Sequence, residues 1–158
     1  MAYSDEHHVW VDVPPDQAWD VVRRLGGDGR FYAPRPLWWA RNRLDGLIGG
    51  VGDRIEGPGR PLQVGDAMDF WEVVEVHPPT RLRVRALARL PGTAYLDIGV
   101  RPRGAGTDLC LRTEFEPAGA VGHVFWWAEL PAHTLVFELM ARRLAAIVAE
   151  REMLGEPD

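Results

Sequence analysis

Residues Arg81 to Pro117 read RLRVRALARLPGTAYLDIGVRPRGAGTDLCLRTEFEP, and the alternation within this stretch decides the fold. Leu82, Val84, Ala86 and Ala88 alternate with Arg83, Arg85, Leu87 and Arg89. Ala94, Leu96, Ile98 and Val100 alternate with Tyr95, Asp97, Gly99 and Arg101, and Leu109, Leu111, Thr113 and Phe115 with Cys110, Arg112, Glu114 and Glu116. Successive side chains of a strand point to opposite faces, so the stretch specifies a sheet with one apolar face and one mostly charged face, Cys110 falling on the charged side. The links at 77–81, at 90–93 with its Pro91-Gly92 turn, and at 103–107 are too short for crossovers, which makes successive strands antiparallel neighbours in a β-meander.

Period two begins at Asp66, so the segment from Asp66 to Pro117 predicts four strands. The first of them, Asp66 to His77, has two readings. Phe70, Val74 and Val76 share one parity and Trp71 and Val73 the other, so either Asp69 or Glu72 is carried inward, and a bulge can switch the faces. Further upstream, Val9, Val11 and Val13 alternate with His8, Trp10 and Asp12, which predicts a strand from His7 to Val13. Pro14-Pro15 then opens a helix with Ala18, Val21, Val22 and Leu25 at helical spacing, stopped at Gly26-Gly27. Leu37, Ala40, Leu44, Leu47 and Ile48 fall on the stripe of a second short helix, and Gly49 to Gly65 reads as a long Gly- and Pro-rich connection.

From Val121 to Arg151 the period is helical, and the stripe containing His133, Phe137, Met140 and Leu144 is long enough to cover the apolar face of the meander. Pro131 either kinks one long helix or stands in the first turn of its final section, and the second reading is favoured. The expectation is one α+β domain spanning residues 1–158, in the order β, α, α, four strands, long α. A curved antiparallel sheet wraps around the C-terminal helix. No internal repeat requires a second domain.

Composition narrows the function classes. A chain of 158 residues with 46% apolar and 26% charged residues can bury a core without disulfides or metal. All eighteen basic residues are Arg, read as the codon bias of a GC-rich genome; they are scattered, and the formal charge of −5 gives no basic field, so nucleic acid is not an expected partner. The single Cys110 excludes an internal disulfide, and His7, His8, His77 and His123 show no ligand spacing, so neither a metal nor a cofactor is expected. The first residues lack a basic start followed by an apolar run, and no stretch approaches a membrane span, which predicts a cytoplasmic protein.

The order of elements resembles the START-like helix-grip superfamily, which includes polyketide cyclases and carriers of lipids, hormones and secondary metabolites. More specifically, Val64 to Trp71, Leu90 to Leu96, Phe115 to Pro117 and Trp126 to His133 resemble a bacterial domain of unknown function, DUF2867, often fused behind a short-chain dehydrogenase-like reductase. The likeness runs from about Trp10 to about Ala145 and includes Tyr32 and the helix from Trp38 to Gly50. No Gly-x-Gly-x-x-Gly strand-turn-helix is present, so no dinucleotide site is carried over, and a redox role would need a separate reductase as partner.

The resemblance implies a hollow between sheet and helix, and the residues offer one: the small inward Ala86, Ala88 and Ala94 face the large Trp126, His133 and Phe137. Glu129 and His133, four residues apart on a helix, are the candidate acid-base pair. Trp38, Asp69, Phe70, Trp71, Tyr95, Trp126, Glu129, His133 and Phe137 make up the candidate ligand-binding set, with Arg89 and Tyr95 at the mouth. The first expectation is a protein that binds a small, largely apolar molecule, whether lipid, aromatic or polyketide-like. A cyclase or dehydratase using the same hollow is the second, and an interaction module for a separate reductase the third; homo-oligomerisation stays open.

Overall fold

A computed structural model describes residues 1–26, 57–68 and 71–154. The elements in chain order are β1 (Tyr3–Val11), α1 (Pro15–Val22), β2 (Ala67–Met68), β3 (Trp71–His77), β4 (Arg81–Ala86), β5 (Gly92–Arg103), β6 (Gly106–Pro117) and α2 (Gly119–Leu154). The short helix expected between Leu37 and Ile48 lies outside the described residues. The six strands form one antiparallel sheet in the order β1-β6-β5-β4-β3-β2, so the meander places consecutive strands side by side and β1 closes onto the last of them.

Alternation translates directly into burial. Leu82, Val84, Leu96, Ile98, Leu109 and Leu111 are 0% exposed on the inner face, each contributing about 1.5–3 kcal/mol of transfer free energy. Their outward neighbours Arg83, Asp97 and Glu114 pair with one another: Arg83 Nη1 donates to Asp97 Oδ2 at 2.8 Å and Nη2 to Glu114 Oε1 at 3.3 Å. The Arg83 guanidinium also lies 4.4 Å from the centre of the Tyr95 ring. Burial raises the Asp97 pKa, opposed chiefly by Arg83.

Three expectations need correcting. The segment from Asp66 to His77 is two strands, because the chain reverses between Met68 and Trp71 and pairs Ala67 with Glu72 and Met68 with Trp71. Within β3 the register shifts between Val73 and Glu75, which lets Trp71, Val73 and Val76 share the inner face with their partners Ala86, Val84 and Leu82. Glu72 therefore faces outward, where Arg85 Nη2 donates to its Oε2 at 2.5 Å.

The second correction concerns Pro131, which lies inside one unbroken helix. It is solvent-exposed, as is Trp127 one turn earlier, so the Trp127 carbonyl deprived of its helical donor can turn to water. The third concerns β1, which starts at Tyr3 instead of His7; Tyr3, Asp5 and His7 thereby join Val9 and Val11 on the inner parity. α2 makes its principal contacts with β1, β6 and α1. Among the described residues no helix is long and apolar enough to cross a membrane.

Candidate functional site

Burial varies along α2. Over its C-terminal half, α2 buries Met140, Ala141, Leu144, Ala145, Ile147 and Val148, in one core with Ala18, Trp19, Val21 and Val22 of α1. Between Trp126 and Met140 no α2 residue is buried: His133, Val136 and Phe137 keep partial exposure. Ala86, Ala88 and Ala94 at the β4–β5 end of the sheet do the same.

An aromatic stack bounds this region. Trp126 lies nearly parallel to Tyr3, with centroids 5.2 Å apart, and to Phe115 at 5.9 Å. Tyr3 and Phe115 are cross-strand partners, and Phe115 is in turn the partner of Ala94. The helix comes this close because of Gly122: a Cβ there would sit 2.3 Å from the Pro91 carbonyl oxygen and 2.8 Å from Pro117 Cβ. Any larger residue would lift the start of α2 off the Pro91-Gly92 turn.

Polar groups gather on the inner face below the stack. His133 Nε2 and Thr113 Oγ1 share a hydrogen bond of 2.8 Å, and the Thr113 hydroxyl is 3.4 Å from the Asp5 carbonyl oxygen. Asp5 Oδ2 lies 3.0 Å from His7 Nε2 and accepts from the Thr134 hydroxyl at 3.4 Å. Phe137 and Trp126 flank the His133 ring with centroids at 4.5 and 5.0 Å. Enclosed in this way, the imidazole is held neutral: burial lowers its pKa to about 4, against a smaller opposing pull from the Asp5 charge. A neutral imidazole beside a hydroxyl, with a carboxylate-imidazole pair on the next strand, can donate, accept or relay a proton.

The predicted residues divide between the faces. Trp126, His133 and Phe137 come together as expected. Glu129 is partly exposed, and His133 shares its Nε2 hydrogen bond with Thr113. Trp71 is buried in the core. Tyr95 is on the outer face under Arg83, on the other side of the sheet from His133. Trp38, Asp69 and Phe70 lie outside the described residues. A depression of about 300 Å³ on the outer face is lined by Val74, Glu75, Arg83, Arg85, Tyr95 and Glu116; its charged walls suit no apolar guest.

Sequence reasoning missed Asp5, His7 and Thr113 as site residues. Thr113 was read on the apolar parity without a role, and the parity of Val9 and Val11 extends back through His7, Asp5 and Tyr3. Polar residues on an otherwise apolar parity were the available signal.

A curved antiparallel sheet closed over by a long C-terminal helix is the helix-grip architecture. Solved structures share it: norcoclaurine synthase from Thalictrum flavum (TM-score 0.61, 17% identity, covering 95% of this chain and 88% of that one), protein CV1439 from Chromobacterium violaceum (0.56, 19%, 98% of each) and Ara h 8.0201 (0.52, 11%, 95% and 99%). At these identities the likeness establishes the fold. No curated protein sequence matches the chain. The profile of the family described as protein of unknown function (DUF2867) matches residues 1–140, and the chain belongs to that family.

Proposed function

We propose that the chain binds a small, largely apolar molecule between the inner face of the sheet and the middle of α2, its polar end meeting His133, Thr113, Asp5 and His7. The observation that carries this reading is the change in packing along the grip. The C-terminal half of α2 is buried in the core while none of its residues 127–139 is, and the polar Asp5 and His7 on the inner parity of β1 are only partly buried, with Thr113 buried beside His133. Apolar walls with a few convergent polar groups are the usual form of a small-molecule site. Norcoclaurine synthase, which shares the fold, has been crystallised with dopamine and hydroxybenzaldehyde, which supports a small aromatic or similarly sized guest.

Ala94→Leu tests the space directly. If the region admits a guest, the added methylenes enter free volume: stability stays within about 0.5 kcal/mol and uptake of an apolar fluorescent dye, followed by energy transfer from Trp126, is lost. If the interior is already filled, the substitution overpacks it and costs about 1–3 kcal/mol, and the wild type takes up no dye.

The Asp5–His7 pair favours a second reading, proton transfer to or from a guest in the same place, of the cyclase or dehydratase type. Asp5→Asn and His133→Ala should then abolish turnover of a candidate substrate while leaving its binding largely intact. Equal loss of both, or of neither, counts against catalysis.

A further inference from the structure

On the outer face of the β1–β6 pair, Glu6, His8 and Cys110 bring one carboxylate oxygen, one imidazole nitrogen and one sulfur within 4.8 Å of one another. The strands impose the arrangement. Glu6 and His8 are two apart on β1 and therefore share a face, and His8 is the cross-strand partner of Cys110. His8 Nε2 lies 2.7 Å from Glu6 Oε1, and the Cys110 thiol donates to the same oxygen at 3.2 Å. Nothing in the proposed binding region uses these side chains, which lie on the opposite face of the sheet.

The far nitrogen of His8 is already held. Asp108 Oδ2 is 2.8 Å from His8 Nδ1, the carboxylate–imidazole contact that fixes tautomer and ring orientation where histidine binds a metal, leaving Nε2 to face the ion. Asp108 is 9% exposed, and its second oxygen has no hydrogen-bond partner; Arg103 Nη1 is 3.8 Å from it. The cluster thus holds two carboxylates and a thiol on one patch, with Arg101 and Arg112 acting on it from further away.

We propose that Glu6, His8 and Cys110 bind a borderline-soft divalent cation of the Zn²⁺ class at the edge of the sheet, with Asp108 positioning His8. One sulfur, one nitrogen and one oxygen ligand with water in the fourth place is a donor set suited to zinc and unsuited to Mg²⁺ or Ca²⁺, which take oxygen ligands. Glu6 and His8 have side chains 42% and 43% exposed, free to open from hydrogen-bond to coordination spacing, whereas Cys110 and Asp108 are fixed by burial. That same burial, together with the Glu6 hydrogen bond, pushes the Cys110 thiol up to about 12. A bound cation compensates the negative charges responsible for part of that rise and displaces the proton. Bound there, the ion would tie the edge strand β1 to β6.

Titration of the purified full-length chain with Co²⁺ is the test, because a cobalt–thiolate bond gives a near-ultraviolet charge-transfer band that imidazole and carboxylate ligands do not. The wild type should develop the band at one Co²⁺ per chain, lose it on adding Zn²⁺, and keep it in excess Mg²⁺. Cys110→Ser should lose the band and His8→Ala should bind at least tenfold more weakly. Asp108→Asn should keep the band with affinity reduced about 10–100-fold. Circular dichroism verifies that each variant is folded; where Cys110→Ser does not fold, His8→Ala and Asp108→Asn decide. No band in the wild type at saturating Co²⁺, a band at one Co²⁺ per two chains, or unchanged affinity in His8→Ala overturns the site.

Discussion

Protonation of His133 should weaken the fold, and the size of the effect follows from its surroundings. Burial holds its pKa at about 4 in the folded chain against 6.5 for a free imidazole, a difference worth about 3 kcal/mol. The unfolded chain therefore binds the proton more tightly. The stability associated with the neutral ring is fully present above pH 6.5, falls as pH drops toward 4, and declines no further below that. Solvent reaching the partly exposed ring lowers the figure, so a loss of about 1–3 kcal/mol by pH 4 is expected. Asp5 and His7 face the ring from β1 and Thr113 from β6; other groups titrate in the same window, including His8, whose pKa its hydrogen bond to Asp108 raises. The informative quantity is consequently the difference between wild type and His133→Gln, which can keep a hydrogen bond to Thr113 and cannot titrate. Urea unfolding followed by tryptophan fluorescence from pH 7.5 to 4 gives both profiles. The wild-type curve should fall below the variant's by the stated amount. Parallel profiles would refute the claim that the ring is held neutral by enclosure between Trp126 and Phe137.

Other substitutions test the remaining contacts. Gly122→Ala gains helix propensity of about 1 kcal/mol but drives a methyl group into the Pro91 carbonyl; a net loss of about 1–3 kcal/mol by thermal or urea unfolding is expected, and a stabilised variant would mean that α2 does not approach the turn so closely. Arg83→Met leaves Asp97 buried without its main ion pair, so the variant should lose about 3–5 kcal/mol at pH 7 and recover part of it near pH 4, where Asp97 takes up a proton; a pH-independent deficit would argue against an Asp97 charge as the cause. The double substitution Thr113→Val with His133→Leu removes both partners of one hydrogen bond and should leave stability unchanged or raised, while Thr113→Val alone costs about 1–3 kcal/mol; equal losses in the two would show that the pair is a structural necessity.

The meander was legible because its signal is redundant: three successive strands carry the same two-residue period, and their links are too short to permit anything but antiparallel neighbours. The long helix was legible from its stripe, but its continuity through Pro131 was not. A proline's effect depends on whether the carbonyl it orphans faces solvent, which is a property of the packed structure. The inward face of β3 was hidden because Phe70, Val74 and Val76 share one parity and Trp71 and Val73 the other, and only the register shift between Val73 and Glu75 puts Trp71, Val73 and Val76 on one face. At the site, helical spacing brought His133, Trp126 and Phe137 together correctly. The same spacing argued for Glu129 as partner of His133, yet the ring reaches across to β6, since a residue four positions away on a helix surface competes with every side chain the opposing sheet presents. Glu6, His8 and Cys110 lie about a hundred residues apart in two groups, so no spacing rule could join them; only the β1–β6 register does.

The two faces of the sheet divide the work by parity, and the exceptions to parity are informative. Arg83, Asp97 and Glu114 are charged residues on the outer parity that neutralise one another, as a solvated face requires. Asp5, His7 and Thr113 are polar residues on the inner parity, where valine or leucine would give more transfer free energy. All three lie on β1 and β6, the strands that α2 crosses, and they stand opposite His133, the polar residue on its buried stripe. A chain selected for stability alone gains nothing from collecting its inner polar groups at one place opposite the same stretch of α2. The coincidence of inner polar groups on β1 and β6 with the incompletely buried stretch of α2 around His133 ties the proposed binding to that place, with the fully packed C-terminal half of α2 and α1 supplying the rigidity against which it is held.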